Sequence, residues 1–108
     1  MLAQKYRIPR QFIDYILKKG DSYTSKFFII RHKKNNSDFC RYRTIISKKV
    51  HAKAVKRNHL RRQIYEILRL NMLNLNVPGT DSILIAKKNI IKNSYKALEE
   101  DIKNNIHG

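Results

Sequence analysis

Apolar and polar positions along this chain switch between two periods, and the switches mark its elements. In "PRQFIDYILKK", residues 9–19, Phe12, Ile13, Tyr15, Ile16 and Leu17 fall at helical spacing, with Pro9 suited to a first helical position and Gly20 to a C-terminal cap. The stretch "SYTSKFFIIRHKK" is dense in aromatic and branched residues, and the turn cluster "NNSD" separates it from "FCRYRTIIS". In the latter, Phe39, Arg41 and Arg43 alternate with Cys40, Tyr42 and Thr44, so the two segments are expected to pair as an antiparallel hairpin. Residues 53–70 carry the longest helical pattern, "NMLNLNVPGTD" supplies loop residues, and "SILIAK" reads as a short buried strand. Ser94 can cap a last helix in which Tyr95, Leu98, Ile102 and Ile106 recur on one face. The order α-β-β-α-β-α predicts an α+β fold, a sandwich of helices on one mixed sheet. A chain of 108 residues with 42% hydrophobic content suffices for one core, so residues 1–108 are read as a single domain.

The long helix breaks its own pattern. At about 100° per residue, Leu60, Ile64, Ile67 and Leu68 share one stripe that must pack on the sheet. Projected upstream, the same azimuth is taken by Lys53, Lys56 and Arg57, whose unpaired burial would cost several kcal/mol each. The first turns are therefore expected to overhang the core. Arg57, Arg61 and Tyr65, four apart, then run down one flank with Asn58 beside them, a line suited to a phosphate backbone. The positive end of the helix dipole adds to the attraction for anions.

Charge extends this local anomaly to the whole molecule. There are 24 Lys and Arg against 8 Asp and Glu, a formal net charge of +16. Between Asp38 and Glu66 no acidic residue occurs, while Arg41, Arg43, Lys48, Lys49, Lys53, Lys56, Arg57, Arg61 and Arg62 all do. Acidic residues gather in "LEEDI", where Glu99, Glu100 and Asp101 read as a solvated helix face. Such self-repulsion points to a polyanionic partner, nucleic acid first, and the arginine content favours RNA.

Other chemistries find little support. His32, His51, His59 and His107 show no metal-ligand spacing with Cys40, no paired carboxylates sit in the basic region, and no glycine-rich phosphate loop exists. No catalytic residue, metal site or protein-bound cofactor is expected. The lone Cys40 excludes an internal disulfide, "MLAQKYRIPR" does not resemble a secretory signal, and the longest apolar run, "FFII", is far below the roughly 18 residues of a membrane span. A reducing, cytoplasmic compartment and no membrane partner are expected.

"SKKV", a short basic spacer and "AVKRNHLRRQIYE" resemble the signature of the bacterial ribonuclease P protein family. That signature runs Ser-Lys-Lys, a spacer, Ala-Val, one residue, Arg-Asn-Arg, one residue, Lys-Arg, two residues, Arg-Glu. "FFIIR", "DSILIAKK" and "SYKALEEDI" follow the family's order over nearly the whole chain. The resemblance implies an α-β sandwich with a left-handed β-α-β crossover, and a protein subunit that assists a catalytic RNA in removing the 5′ leader of precursor tRNA. Its implied partners are ribonuclease P RNA and precursor tRNA, with magnesium held by the RNA subunit; separately, the free protein is expected to be a monomer. By position, Arg57, Asn58, Arg61 and Arg62 resemble the contacts to the RNA subunit and the leader's edge, with Lys48, Lys49, Lys53 and Lys56 extending the basic face. Phe12, Tyr15 and Ile16 resemble the wall of a leader cleft, and Phe28, Ile30 and Tyr42 its floor. Three departures stand out: His59 replaces the motif's second arginine, Tyr65 a later one, and Arg43 stands where the family strand usually has glycine. The other readings are a structural RNA-binding protein, such as a small ribosomal protein, and an autonomous nuclease.

Overall fold

The structure, a computed structural model, describes residues 3–71, 79–92 and 94–106. Its sheet is built outward from the most apolar strand. Strand β4, Thr80–Ala86, has Ile83 and Leu84 fully buried on opposite faces, so it needs neighbours on both sides and cover above and below. The neighbours are β2, Phe28–Lys34, which runs antiparallel to it, and β3, Arg41–Ile45, which runs parallel. A further strand, β1, Asp21–Thr24, pairs with β2 at the outer edge, giving the order β1-β2-β4-β3.

This order corrects the expected hairpin. "SYTSKFFIIRHKK" folds back on itself as β1 and β2, and β4 inserts between β2 and β3. An alternating pattern identifies a strand but not its partner, and the strand buried on both faces claims the centre. The "NNSD" turn is present, with Asn36 in the left-handed region at φ 57°, a conformation asparagine tolerates. The loop expected in "NMLNLNVPGTD" lies mostly outside the described residues.

Helix α2, Ala54–Asn71, bridges the parallel strands β3 and β4, and with α3, Tyr95–Asn105, covers one face of the sheet. Ile64, Ile67 and Leu68 of α2 and Leu98 and Ile102 of α3 meet Phe28, Ile30, Tyr42 and Leu84 in the main core. Ser94 caps α3 as its sequence suggests, its Oγ accepting from the Ala97 amide at 3.2 Å. Helix α1, Ile13–Lys19, lies on the opposite face, where Ile16 and Ile8 pack on Ile83. Its expected first turn winds instead as a tighter 3-10 turn, Arg10–Phe12. Gly20 ends α1 in extended geometry, and its role is steric: a Cβ would stand 2.6 Å from the Ile16 carbonyl oxygen and 2.8 Å from that of His32.

Asp101 departs from the solvated face expected of "LEEDI". It is buried, and its carboxylate accepts from Ser25 Oγ at 2.8 Å, the Lys26 amide at 3.1 Å, the Phe27 amide at 3.0 Å and Asn105 Nδ2 at 3.0 Å. It fastens the β1–β2 turn to α3. Asp101→Ala leaves these donors unpaired and is expected to cost about 3 kcal/mol in urea unfolding. A loss under about 1 kcal/mol would show that the donors find other partners.

Candidate nucleic-acid interface

The apolar stripe of α2 begins at Leu60, which is half-buried; everything before it projects past the sheet. Lys53, Lys56, Asn58, His59 and Arg62 are exposed, as are Lys48 and Lys49 on the approach, and Arg57 and Arg61 are partly so. Among the described residues the ion pairs are Arg41 with Asp81 and Glu66 with Arg69. No carboxylate therefore neutralises the opening turns. Glu66, the first acid after the long gap, is engaged by the Arg69 hydrogen bond, which holds it below the usual carboxylate range.

Arg57 does structural work here as well. Its Nη1 donates to the carbonyls of His51 at 2.9 Å and Ala52 at 2.8 Å, while the Lys53 amide donates to His51 Nδ1 at 3.1 Å. These bonds close the turn that delivers the chain into α2. One turn on, Arg61 Nη1 donates to Asn58 Oδ1 at 2.6 Å, so the two side chains are presented as a unit.

Five residues expected at the interface are not available to RNA. Tyr65 is buried, and its hydroxyl accepts from the Thr44 amide at 3.3 Å, locking α2 against β3. Phe28, Ile30 and Tyr42 are fully buried under α2 and α3, and so cannot floor a cleft. Burial, then the adjacent Cys40 thiol, pushes the Tyr42 hydroxyl well above its ordinary pKa, so it stays a neutral phenol. The expectation missed by one residue: successive side chains point to opposite faces, and the α1 face carries Ile29, Arg31 and Lys33 of β2 and Arg41, Arg43 and Ile45 of β3. Ile16 is also buried and holds α1 to the sheet, whereas Phe12 (39% exposed) and Tyr15 (52%) remain open.

Beside α1, a cavity of about 360 Å³ lies between Phe12, Tyr15, Lys33, Asn35, Arg41 and Asp81. The Arg41 guanidinium carbon stands 5.5 Å over the Phe12 ring and the Lys33 ammonium 5.5 Å over that of Tyr15. A second cavity, about 470 Å³, gathers Arg7 and Arg10 from the N-terminal segment, Arg43 from β3 and Arg61 from α2. Arg43 donates to the Ile8 carbonyl at 3.1 Å, and the buried Arg7 Nε has no partner. Arg7, Arg10, Arg31, Lys33, Arg41 and Arg43 were not singled out for this site from the sequence. The alternation of Arg41 and Arg43 against Tyr42 and Thr44 was the signal that could have found the β3 pair. Among the described residues no group of three or more His, Cys, Asp or Glu could hold a metal ion, and no helix is long and apolar enough to cross a membrane.

Fold and surface define a class: a small α+β domain whose N-terminal segment, β3 and α2 start present arginines around one cavity, next to the exposed lysines at the start of α2. The Ribonuclease P family model matches residues 3–107, and the chain belongs to that family, the protein component of a tRNA-processing endoribonuclease that works with an RNA subunit. The ribonuclease P protein component of Clostridioides difficile is 38% identical over 89 residues, 82% of this chain and 77% of that protein. The RNase P protein structure from Thermotoga maritima superposes with a TM-score of 0.82 at 27% identity, covering 94% of this chain and 98% of that one. The Staphylococcus aureus RNase P protein gives 0.79 at 26% identity, over 92% and 90% of the two chains.

The geometry separates cationic contacts from structural ones. Arg61→Ala is expected to weaken RNA binding and to flatten its log–log salt dependence by about 0.7 to 0.9, which a salt titration measures. Tyr65→Phe is expected to cost about 1 kcal/mol of stability and leave RNA affinity unchanged; a selective affinity loss would contradict its burial.

Proposed function

We propose that this chain assists its RNA subunit by holding precursor tRNA: the α2 start docks on the RNA subunit, and the α1 cleft takes the single-stranded 5′ leader. The observation that carries this reading is that Arg10 and Arg61 of α2 open on one cavity, while Arg10 shares a single 3-10 turn with the exposed Phe12 that lines the aromatic cavity. Stacking on aromatic rings tolerates any base, which suits an enzyme that serves many precursor tRNAs.

Catalysis is assigned to the RNA subunit, with its magnesium ions. Among the described residues, Asp81 is the one carboxylate lining the aromatic cavity, and it is engaged by Arg41 and Asn35 and is not free to act as a base. The protein works as a monomer before assembly, in the bacterial cytoplasm where precursor tRNA is made. Lys48, Lys49, Lys53, Lys56, Arg57, Asn58, His59 and Arg62 contact RNA phosphates, and Phe12 and Tyr15 contact the leader.

Reconstitution tests the whole reading. Adding the purified chain to ribonuclease P RNA and precursor tRNA at low magnesium is expected to accelerate leader removal, and no acceleration would overturn it. Phe12→Ala is expected to weaken precursor tRNA binding about ten-fold, within the roughly 1 to 3 kcal/mol of a stacked base, and to spare mature tRNA. Equal losses on both would remove Phe12 from the leader cleft.

A further inference from the structure

The aromatic cavity contains two cation–ring pairs that differ in one respect. Lys33, Asp81 and Arg41 sit side by side in one row across β2, β4 and β3. Asp81 turns to Arg41: its Oδ1 accepts from Arg41 Nε and its Oδ2 from Nη2, both at 2.7 Å, and Asn35 Nδ2 adds a third bond at 2.8 Å. Asp81 is only 4% exposed, so little water intervenes. The Arg41 charge is cancelled where it stands, over Phe12. Lys33, over Tyr15, has no ion pair among the described residues.

We propose that Asp81 is a positioning residue for the leader. By neutralising Arg41 and fixing its plane against Phe12, it makes that subsite a charge-neutral stacking platform for an unpaired nucleobase, while Lys33 beside Tyr15 takes the adjoining phosphate. A free guanidinium at Phe12 would attract the phosphodiester to the position the base should occupy. A cancelled one stiffens the ring without competing for the backbone. The inference rests on the leader-binding reading above and adds a division of labour within the cleft.

The test uses the holoenzyme reconstituted with ribonuclease P RNA, and measures precursor and mature tRNA affinity across a salt series. The difference between their log–log slopes isolates the leader. Asp81→Asn releases one cation, and the precursor slope is expected to steepen by about 0.7 with the mature slope unchanged. The double variant Arg41→Gln with Asp81→Asn removes a neutral pair, so the slope should stay at the wild-type value while preference for precursor falls about five-fold. A merely structural role for Asp81 would lower the melting temperature and move neither slope. An unchanged slope in folded Asp81→Asn, or a slope loss near 0.7 in the double variant, overturns the proposal. Should Asp81→Asn fail to fold, the double variant decides alone. Phe12→Ala in the same assay keeps the two readings apart: equal losses on both tRNAs defeat leader binding itself, and a precursor-selective loss leaves only the role of Asp81 at stake.

Discussion

An amphipathic helix can lie along a sheet only as far as its apolar stripe extends, and in α2 that stripe starts at Leu60. Upstream of it, cations occupy the azimuth that would meet the core, and no carboxylate within ion-pair reach offsets them among the described residues. The opening turns therefore project, and the chain must be led into them by a turn that is itself secured. Arg57 secures it, spending part of its hydrogen-bonding capacity on the carbonyls of His51 and Ala52. From this constraint follow the direction of the basic face and the nearness of Arg61 to the N-terminal arginines.

The chain displayed its elements more clearly than their neighbours. Ser94, the α2 stripe and the buried "SILIA" run are local signals, since capping and periodicity act within a few residues. Strand partnership is not local, and β4 displaced the expected hairpin because a strand apolar on both sides is stable only in the middle. The missed cleft floor has the same origin. Both faces of this sheet are covered by helices, so alternation separates Phe28 and Ile30 from Ile29 and Arg31 without saying which set meets α1. Tyr65 and Asp101 were misread for a related reason: a polar atom on an amphipathic side chain looks like surface until a partner amide, supplied from 21 and 74 residues away respectively, is brought beside it.

Departures from the family pattern acquire physical meaning in this setting. Arg43, where the family strand usually has glycine, faces α1, and its guanidinium reaches the Ile8 carbonyl, so the added side chain helps tie the N-terminal segment down. His59 stays on the exposed side of α2, in a cavity with Lys56 and Arg57, and the helix runs through it from Ala54 to Asn71.

The Asp101 clamp bears on biogenesis. Its bonds to the β1–β2 turn close loops of 74 to 76 residues, among the most distant polar contacts in the chain. During synthesis the turn's donors stay unpaired until α3 has left the ribosome, so the hairpin edge is completed last. A nascent chain thus exposes its cationic segment before the fold that organises that charge is finished.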